Sequence, residues 1–281
     1  MTRTLLTGAT GTLGRALCER LRATGQTVRA TSRTPPEPDD PEVEWVELDL
    51  AAGVGIERAV ADVDVIVHAA TASQGDTAAV DVDGTERLVA TAADAGVSNF
   101  VYPSIVGVDA IPYSYYEHKL AAESIVADGP VAHTIVRATQ FHEFVAELLG
   151  TIIRLPVWPL PTDFRIQPIA AAEAAERIVE LATPTAAGRV DPVGGPEVLT
   201  VGEIADTYRR VRGLRRLAVR LPLPGAVARA FREGRAACPN RTVGQTTWDT
   251  WLRDRYGPGT DAAPAGHSHG GTASSPSEES E

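Results

Sequence analysis

Residues 5–14 read Leu-Leu-Thr-Gly-Ala-Thr-Gly-Thr-Leu-Gly. An apolar run ends at Gly8, glycines return at Gly11 and Gly14, and an amphipathic run follows through Leu17 and Leu21 to Gly25. Few chains can place glycines this way without building a strand, a tight turn and a helix start. Gly8 lets the chain turn, Gly11 lets backbone N–H groups approach a phosphate, and Gly14 lets the helix lie close to the sheet. The positive end of the helix favours an anion there. The expected cradle for a dinucleotide pyrophosphate is Gly8, Thr10, Gly11, Thr12, Leu13 and Gly14.

The rest of the chain continues that first unit. Strands are expected at Thr2–Thr7, Thr27–Ser32, Val43–Leu48, Val63–His68, Phe100–Tyr102 and Ala132–Val136. Helices are expected at Thr12–Ala23, Gly55–Ala61, Thr77–Ala95 and Tyr115–Ala127. This alternation predicts an α/β protein with a Rossmann-type, doubly wound parallel sheet. After Arg137 the pattern changes. Helices are expected at Phe141–Leu149, Ala170–Leu181, Thr200–Arg212, Val227–Arg235 and Trp248–Arg255, with a Pro-rich stretch at Leu155–Pro161. Thr200 and Glu203 have the spacing of a capping box. The expected organisation is a dinucleotide-binding core over 1–140 and a smaller C-terminal substrate-pocket region over 141–256 packed on it. A disordered acidic tail is expected over 257–281, where the composition turns to Gly, Pro, Ser and acids. His267 and His269 fall in that tail and are assigned no metal, and no metal site is expected elsewhere.

Net charge is −11 at pH 7, which argues against nucleic acid or an anionic membrane as partner. No apolar run reaches the ~20 residues of a membrane helix. The first strand begins at once, which leaves no room for a signal peptide. The two cysteines, Cys18 and Cys238, make no disulfide framework. The expectation is a cytoplasmic protein acting on a small molecule, with its oligomeric state left open.

Two regions carry the expected chemistry. An acid closing the second strand would bond a ribose hydroxyl, and an arginine there would accept a 2′-phosphate. Here the stretch is Thr31-Ser32-Arg33, so NADP is favoured, with NAD the alternative. Asp49 and Leu50 are placed to meet the adenine, and Ala69 offers a small residue where backbone passes the cofactor. His68 is read as a satisfied core histidine. Further on, Tyr115 and Lys119 stand four apart, on one face of a helix. Lys119 is the single lysine among 26 Lys plus Arg. A nearby cation lowers a tyrosine's pKa, so Tyr115 can exchange a proton with a substrate carbonyl. Ser104, ending its strand, can orient that oxygen. Phe141, His142, Phe144 and Trp158 are candidates for the substrate wall.

Several stretches together resemble the short-chain dehydrogenase/reductase superfamily, in its atypical, NmrA-like NAD(P)-binding branch. They are the Gly8-x-x-Gly11-x-x-Gly14 loop, Asp49, residues 102–107 (Tyr-Pro-Ser-Ile-Val-Gly), Tyr115-x-x-x-Lys119 and residues 137–141 (Arg-Ala-Thr-Gln-Phe). The later Leu223-Pro224-Gly225, Cys238-Pro239 and Thr247-Trp248 resemble actinobacterial-type members. The resemblance covers roughly residues 1–256. It implies a bound dinucleotide across the strand ends, Tyr115 as acid/base, and Lys119 as its helper and a ligand of the nicotinamide ribose. Ser104 matches the serine that holds the substrate oxygen, and position 105, where extended reductases often carry the active hydroxyl, is Ile. The expected function is an NAD(P)-dependent oxidoreductase, NADP preferred, acting on a small carbonyl or quinone. The alternatives are a non-catalytic redox sensor of the NmrA type and, third, a nucleotide-sugar epimerase.

Overall fold

A computed structural model describes residues 2–36, 42–72 and 75–257. The expected tail from 258 on, with His267 and His269, lies outside them, as do residues 37–41 of the acid-rich loop. The core elements are β1 (Arg3–Thr7), α1 (Thr12–Ala23), β2 (Thr27–Ser32), β3 (Val43–Glu47), α2 (Ile56–Val60) and β4 (Val65–His68). A π-helical turn, Ala79–Asp83, then runs into α3 (Gly84–Asp94), followed by β5 (Asn99–Ile105), α4 (Ser114–Asp128) and β6 (His133–Ala138). Beyond these come α5 (His142–Thr151), β7 (Val157–Leu160), β8 (Arg165–Ile166), α6 (Ala171–Leu181) and β9 (Gly188–Arg189). The chain continues through β10 (Leu199–Thr200), α7 (Val201–Val211), β11 (Leu217–Arg220), α8 (Ala226–Arg232) and α9 (Trp248–Tyr256).

The central sheet has seven parallel strands in the order β3-β2-β1-β4-β5-β6-β9. The strand order reverses between β1 and β4. In such sheets the ligand crevice opens at the carboxyl ends of the strands at that reversal. Because the sheet is covered on both faces, its middle strands are apolar throughout. Leu88, Val89, Ala122 and Val126 of α3 and α4 pack on one face with Leu5, Ile66 and Phe100. Leu17 and Leu21 of α1 pack on the other with Leu6, Val67 and Val101.

The expected division at residue 140 does not follow the packing. Ala175, Ile178 and Val179 of α6 lie in the same core as α1, and β9 pairs in parallel with β6. The α1 face needs this helix to cover Val101 and Val136, so the chain returns to the sheet after leaving it. The two-residue β9 carries no periodicity that a sequence reading could find. A separate aromatic core gathers Trp158, Tyr208, Trp248 and Leu252 around Tyr116 of α4. Trp248 Nε1 donates to Ile204 O at 3.1 Å. The expected capping box is present: Thr200 Oγ1 accepts from Glu203 N at 3.2 Å, and Glu203 Oε2 accepts from Thr200 N at 2.7 Å.

One buried carboxylate joins three elements of the sheet domain. Glu123 of α4 is fully buried and accepts both Nε and Nη2 of Arg137 at 2.9 Å, and Arg189 of β9 at 2.5 Å. Burial works to raise its pKa, but the hydrogen bonds, led by Arg137, hold it below the usual carboxylate range. Breaking a buried pair costs about 3–5 kcal/mol, and Glu123→Gln is expected to lose about that much stability at neutral pH. For a depressed carboxyl the stabilisation is complete above its free value and drains as pH falls through the folded value. The melting temperatures of wild type and variant should therefore converge in acid. A gap that persists there would refute the assignment.

Candidate active site at the strand reversal

The glycine loop has the shape its spacing predicts. Gly8 has φ +68°, and a Cβ there would meet Ala70 N at 2.6 Å. The loops after β1 and β4 thus touch through backbone at the reversal point. A Cβ at Gly14 would overlap the Gly8 carbonyl and come within 2.8 Å of Ala9 Cα. Gly11 is the N-cap of α1, and no side chain caps that helix. Thr10 and Gly11 are exposed, and Thr12 and Leu13 half-buried. A dinucleotide pyrophosphate fits this cradle: Gly11 at the N-cap carries no side chain over the helix end, and no side-chain acceptor caps α1 there.

The neighbouring strand ends place the other expected cofactor residues. Arg33 follows β2 directly and is exposed, with no ion pair to another described residue. Ser32 Oγ closes a local turn, donating to Thr34 O at 3.0 Å and accepting from Thr34 N. Ala69 is half-buried at the end of β4. Asp49 also serves a turn: its Oδ1 accepts from Ala52 N at 3.1 Å, and its backbone pairs with Val54. Leu50 is buried in the core under α3, so its side chain is committed to packing.

His68 behaves as the satisfied core residue expected. It is 1% exposed, with Nδ1 2.7 Å from Thr7 Oγ1 and Nε2 3.0 Å from Thr85 Oγ1. Thr85 spends its proton on Asp81 O at 2.7 Å. Nε2 therefore carries the imidazole proton and Nδ1 accepts from Thr7. Burial, then the Lys119 charge, lowers the pKa to about 3, so the ring stays neutral.

Tyr115 and Lys119 share a face of α4, but they do not pair. Lys119 is 4% exposed. Its Nζ lies 3.7 Å from Asp81 Oδ1, 3.5 Å from Pro103 O and 4.3 Å from the centre of the Tyr102 ring. Burial lowers its pKa, while Asp81 and then Glu123 work to keep it charged. Tyr115 OH instead sits 3.0 Å from Thr71 Oγ1. Desolvation raises its pKa to about 12, with the Thr71 hydrogen bond opposing the rise and the Asp81 charge adding to it. The expectation that Lys119 lowers the tyrosine's pKa is corrected here: burial raises it and the Asp81 charge adds to the rise, while the Lys119 ammonium lies against Asp81.

No sequence pattern points to Thr71 or Asp81, because both lie outside the helix that carries Tyr115. The π-helical turn holding Asp81 has no local sequence mark, although such turns are frequent at functional sites.

Ser104 lies at the carboxyl end of β5 but is 5% exposed. Its Oγ is buried beside Glu123, without hydrogen-bond geometry. Of the expected substrate wall, His142 and Trp158 are fully buried. His142 lies 5.4 Å from the Trp248 ring and gives Nε2 to Thr246 O at 3.0 Å. These two are core residues, since the aromatic cluster closes over them. Phe141 is half-buried and Phe144 is 46% exposed. Tyr113 is 47% exposed, its ring 6.4 Å from that of Tyr115.

Comparison with known proteins agrees with this geometry. A protein-family model described as NAD(P)H-binding matches residues 8–152, just over half of the chain. A 3-beta-hydroxysteroid dehydrogenase from Mycolicibacterium neoaurum is 32% identical over 154 residues, 44% of this chain and 42% of that protein. A Mycobacterium tuberculosis protein of unassigned function is 26% identical over 63% of this chain, which spans only 19% of that protein's length. Among solved structures, an NADPH complex of the Escherichia coli quinone oxidoreductase QOR2 superposes with a TM-score of 0.76 at 18% identity, covering 89% of this chain and 99% of that one. A short-chain dehydrogenase/reductase superfamily protein from Agrobacterium tumefaciens with bound NAD gives 0.69 at 20% identity, over 90% and 95%. Among the described residues, no helix is long and apolar enough to cross a membrane. With a matched glycine loop, a parallel sheet reversing beside it and neighbours of this fold holding dinucleotides, the chain belongs to the NAD(P)H-binding family and has the fold of short-chain dehydrogenases/reductases.

Proposed function

We propose that this protein is an NADP-preferring oxidoreductase acting on a small carbonyl or quinone. One observation carries the reading. Gly8 abuts Ala70, Thr71 follows Ala70, and Thr71 holds the Tyr115 hydroxyl at 3.0 Å, so a phosphate cradle and a proton donor share one crevice. The bound nicotinamide would supply or take the hydride. Tyr115 gives the proton to the substrate oxygen in reduction and removes it in oxidation. Lys119, held by Asp81, presents its charge below this site for the nicotinamide ribose. Gly8, Thr10, Gly11, Thr12, Leu13 and Gly14 would hold the pyrophosphate, with Asp49 and Ala69 at the rim. Tyr113 and Phe144 supply exposed aromatic surface. The quinone oxidoreductase and steroid dehydrogenase likenesses support a carbonyl-type substrate.

Arg33 would accept the 2′-phosphate. Charge-assisted hydrogen bonds contribute about 1.5–3 kcal/mol, so Arg33→Ala is expected to weaken NADP binding about tenfold to a hundredfold and leave NAD binding unchanged. Calorimetric titration of both dinucleotides checks this. Equal wild-type affinities for NADP and NAD would refute the preference.

A second reading, a dinucleotide-dependent sensor without turnover, is favoured by the buried Ser104 hydroxyl and by Ile105, which leave no serine facing the substrate. The deciding experiment is NADPH oxidation against a panel of carbonyls and quinones. Turnover supports the enzyme; saturable NADPH binding with no oxidation across the panel supports the sensor.

A further inference from the structure

Two groups outside the tyrosine–lysine pair complete a continuous hydrogen-bonded chain at the site. Thr71 Oγ1 lies 3.0 Å from Tyr115 OH and donates to Asp81 Oδ1 at 2.7 Å. The second carboxylate oxygen, Oδ2, accepts from Ala72 N at 3.0 Å. Asp81 is 1% exposed, whereas Thr71 is open to solvent. An ionised carboxylate only accepts, and a threonine hydroxyl has one proton to give. Thr71 gives its proton to Asp81, so Tyr115 must donate to Thr71. The chain therefore points one way, from phenol to hydroxyl to carboxylate.

We propose that Thr71 and Asp81 form the proton path of Tyr115, carrying its proton away during alcohol oxidation and returning it during reduction. This rests on the oxidoreductase reading above. In oxidation the substrate O–H bond breaks and its proton forms a new bond to the Tyr115 oxygen. The phenolic proton passes to Thr71 Oγ1, and the proton Thr71 held passes to Asp81 Oδ1. The electron pair leaves the substrate carbon with the hydride. From Asp81 Oδ1, 2.7 Å from Thr71 Oγ1 and 3.7 Å from the Lys119 ammonium, the proton passes back to Thr71. Thr71 returns it to water, since Thr71 reaches solvent and Asp81 does not. In this arrangement Lys119 governs the path through Asp81 rather than through the tyrosine. The π-helical turn at Ala79–Asp83 aims the carboxylate inward at that point.

Thr71→Val removes the hydroxyl at nearly constant size, and Thr71→Ser keeps it. Thr71→Val is expected to lower kcat about tenfold to a hundredfold, with KM and dinucleotide affinity within about twofold of wild type, and Thr71→Ser is expected to restore kcat. A second readout needs no turnover. Lys119 is the sole lysine, so nitrogen-labelled lysine gives one side-chain NMR signal in the cofactor-free protein. Asp81→Asn should shift its titration downward, because the buried ammonium loses its nearest carboxylate. Wild-type kcat in Thr71→Val, equal losses in Thr71→Val and Thr71→Ser, or an unmoved Lys119 titration would each overturn the path. If the path fails while Tyr115→Phe still loses turnover, the oxidoreductase reading stands. If Tyr115→Phe turns over like wild type, or the wild type does not turn over, both fail.

Discussion

Tyr115→Phe should lower kcat for carbonyl or quinone reduction by about 10²–10⁴-fold, the range for losing a positioned general acid. NADPH affinity and melting temperature should stay close to wild type. The substitution removes one oxygen, whose neighbour Thr71 keeps its bond to Asp81 at 2.7 Å, so no buried group is left unpaired. The tyrosine's own pKa adds a direction. With the phenol pushed up to about 12 by burial, the protonated donor persists through neutral pH. Reduction should show no limb from this group there, and oxidation, which must move a proton off the phenol, should speed up as pH rises. Stopped-flow NADPH oxidation across pH, in wild type and variant, measures both. A variant that reduces the same substrates at the wild-type rate would remove Tyr115 from the chemistry.

Gly14→Ala should fail in a different way, losing the cofactor and some stability together. Its new Cβ would meet the Gly8 carbonyl and Ala9 Cα, and backbone yields less readily than a side chain. Relief requires α1 to move off the loop. Overpacking of this kind costs about 1–3 kcal/mol, roughly 2–12 °C in melting temperature for a chain of this size. Moving α1 also turns its first-turn N–H groups away from the phosphate. Each charge-assisted hydrogen bond lost is about 1.5–3 kcal/mol, so affinity should fall more than tenfold for NADP and NAD alike. Gly25→Ala is the control: its φ is +75° but nothing lies within 4 Å of a Cβ there. It should lose stability and keep dinucleotide affinity. If Gly14→Ala binds as tightly as Gly25→Ala, the close approach of α1 is irrelevant to the site. Arg33→Ala separates from both by affecting NADP alone.

Much of the fold was legible because its signals are short. The expected boundaries of α1 and β2 coincide with those observed, Thr12–Ala23 and Thr27–Ser32, since Gly25 stops one and a β-branched run defines the other. The expected strand over Phe100–Tyr102 is longer in the structure, Asn99–Ile105. Pro103 stays in the strand because it lies where the pairing to β6 continues around it. The Pro-rich stretch around Trp158 becomes β7, which pairs with β11, a partner some sixty residues later that no local window contains.

Glycine spacing and the four-residue step from Tyr115 to Lys119 are properties of a few neighbouring residues. Backbone sterics and helical pitch convert them directly into a phosphate cradle and a shared helix face. Where the charge of Lys119 is spent is a different kind of fact. It depends on a carboxylate from a separate segment, sealed from water at 1% exposure, where an opposite charge 3.7 Å away outweighs a tyrosine on the same helix. The same holds for Trp158 and His142, which sequence suggests as pocket wall and packing places in a core. Burial and electrostatic partnership arise when distant segments close over one another, and tertiary structure alone set them in this protein.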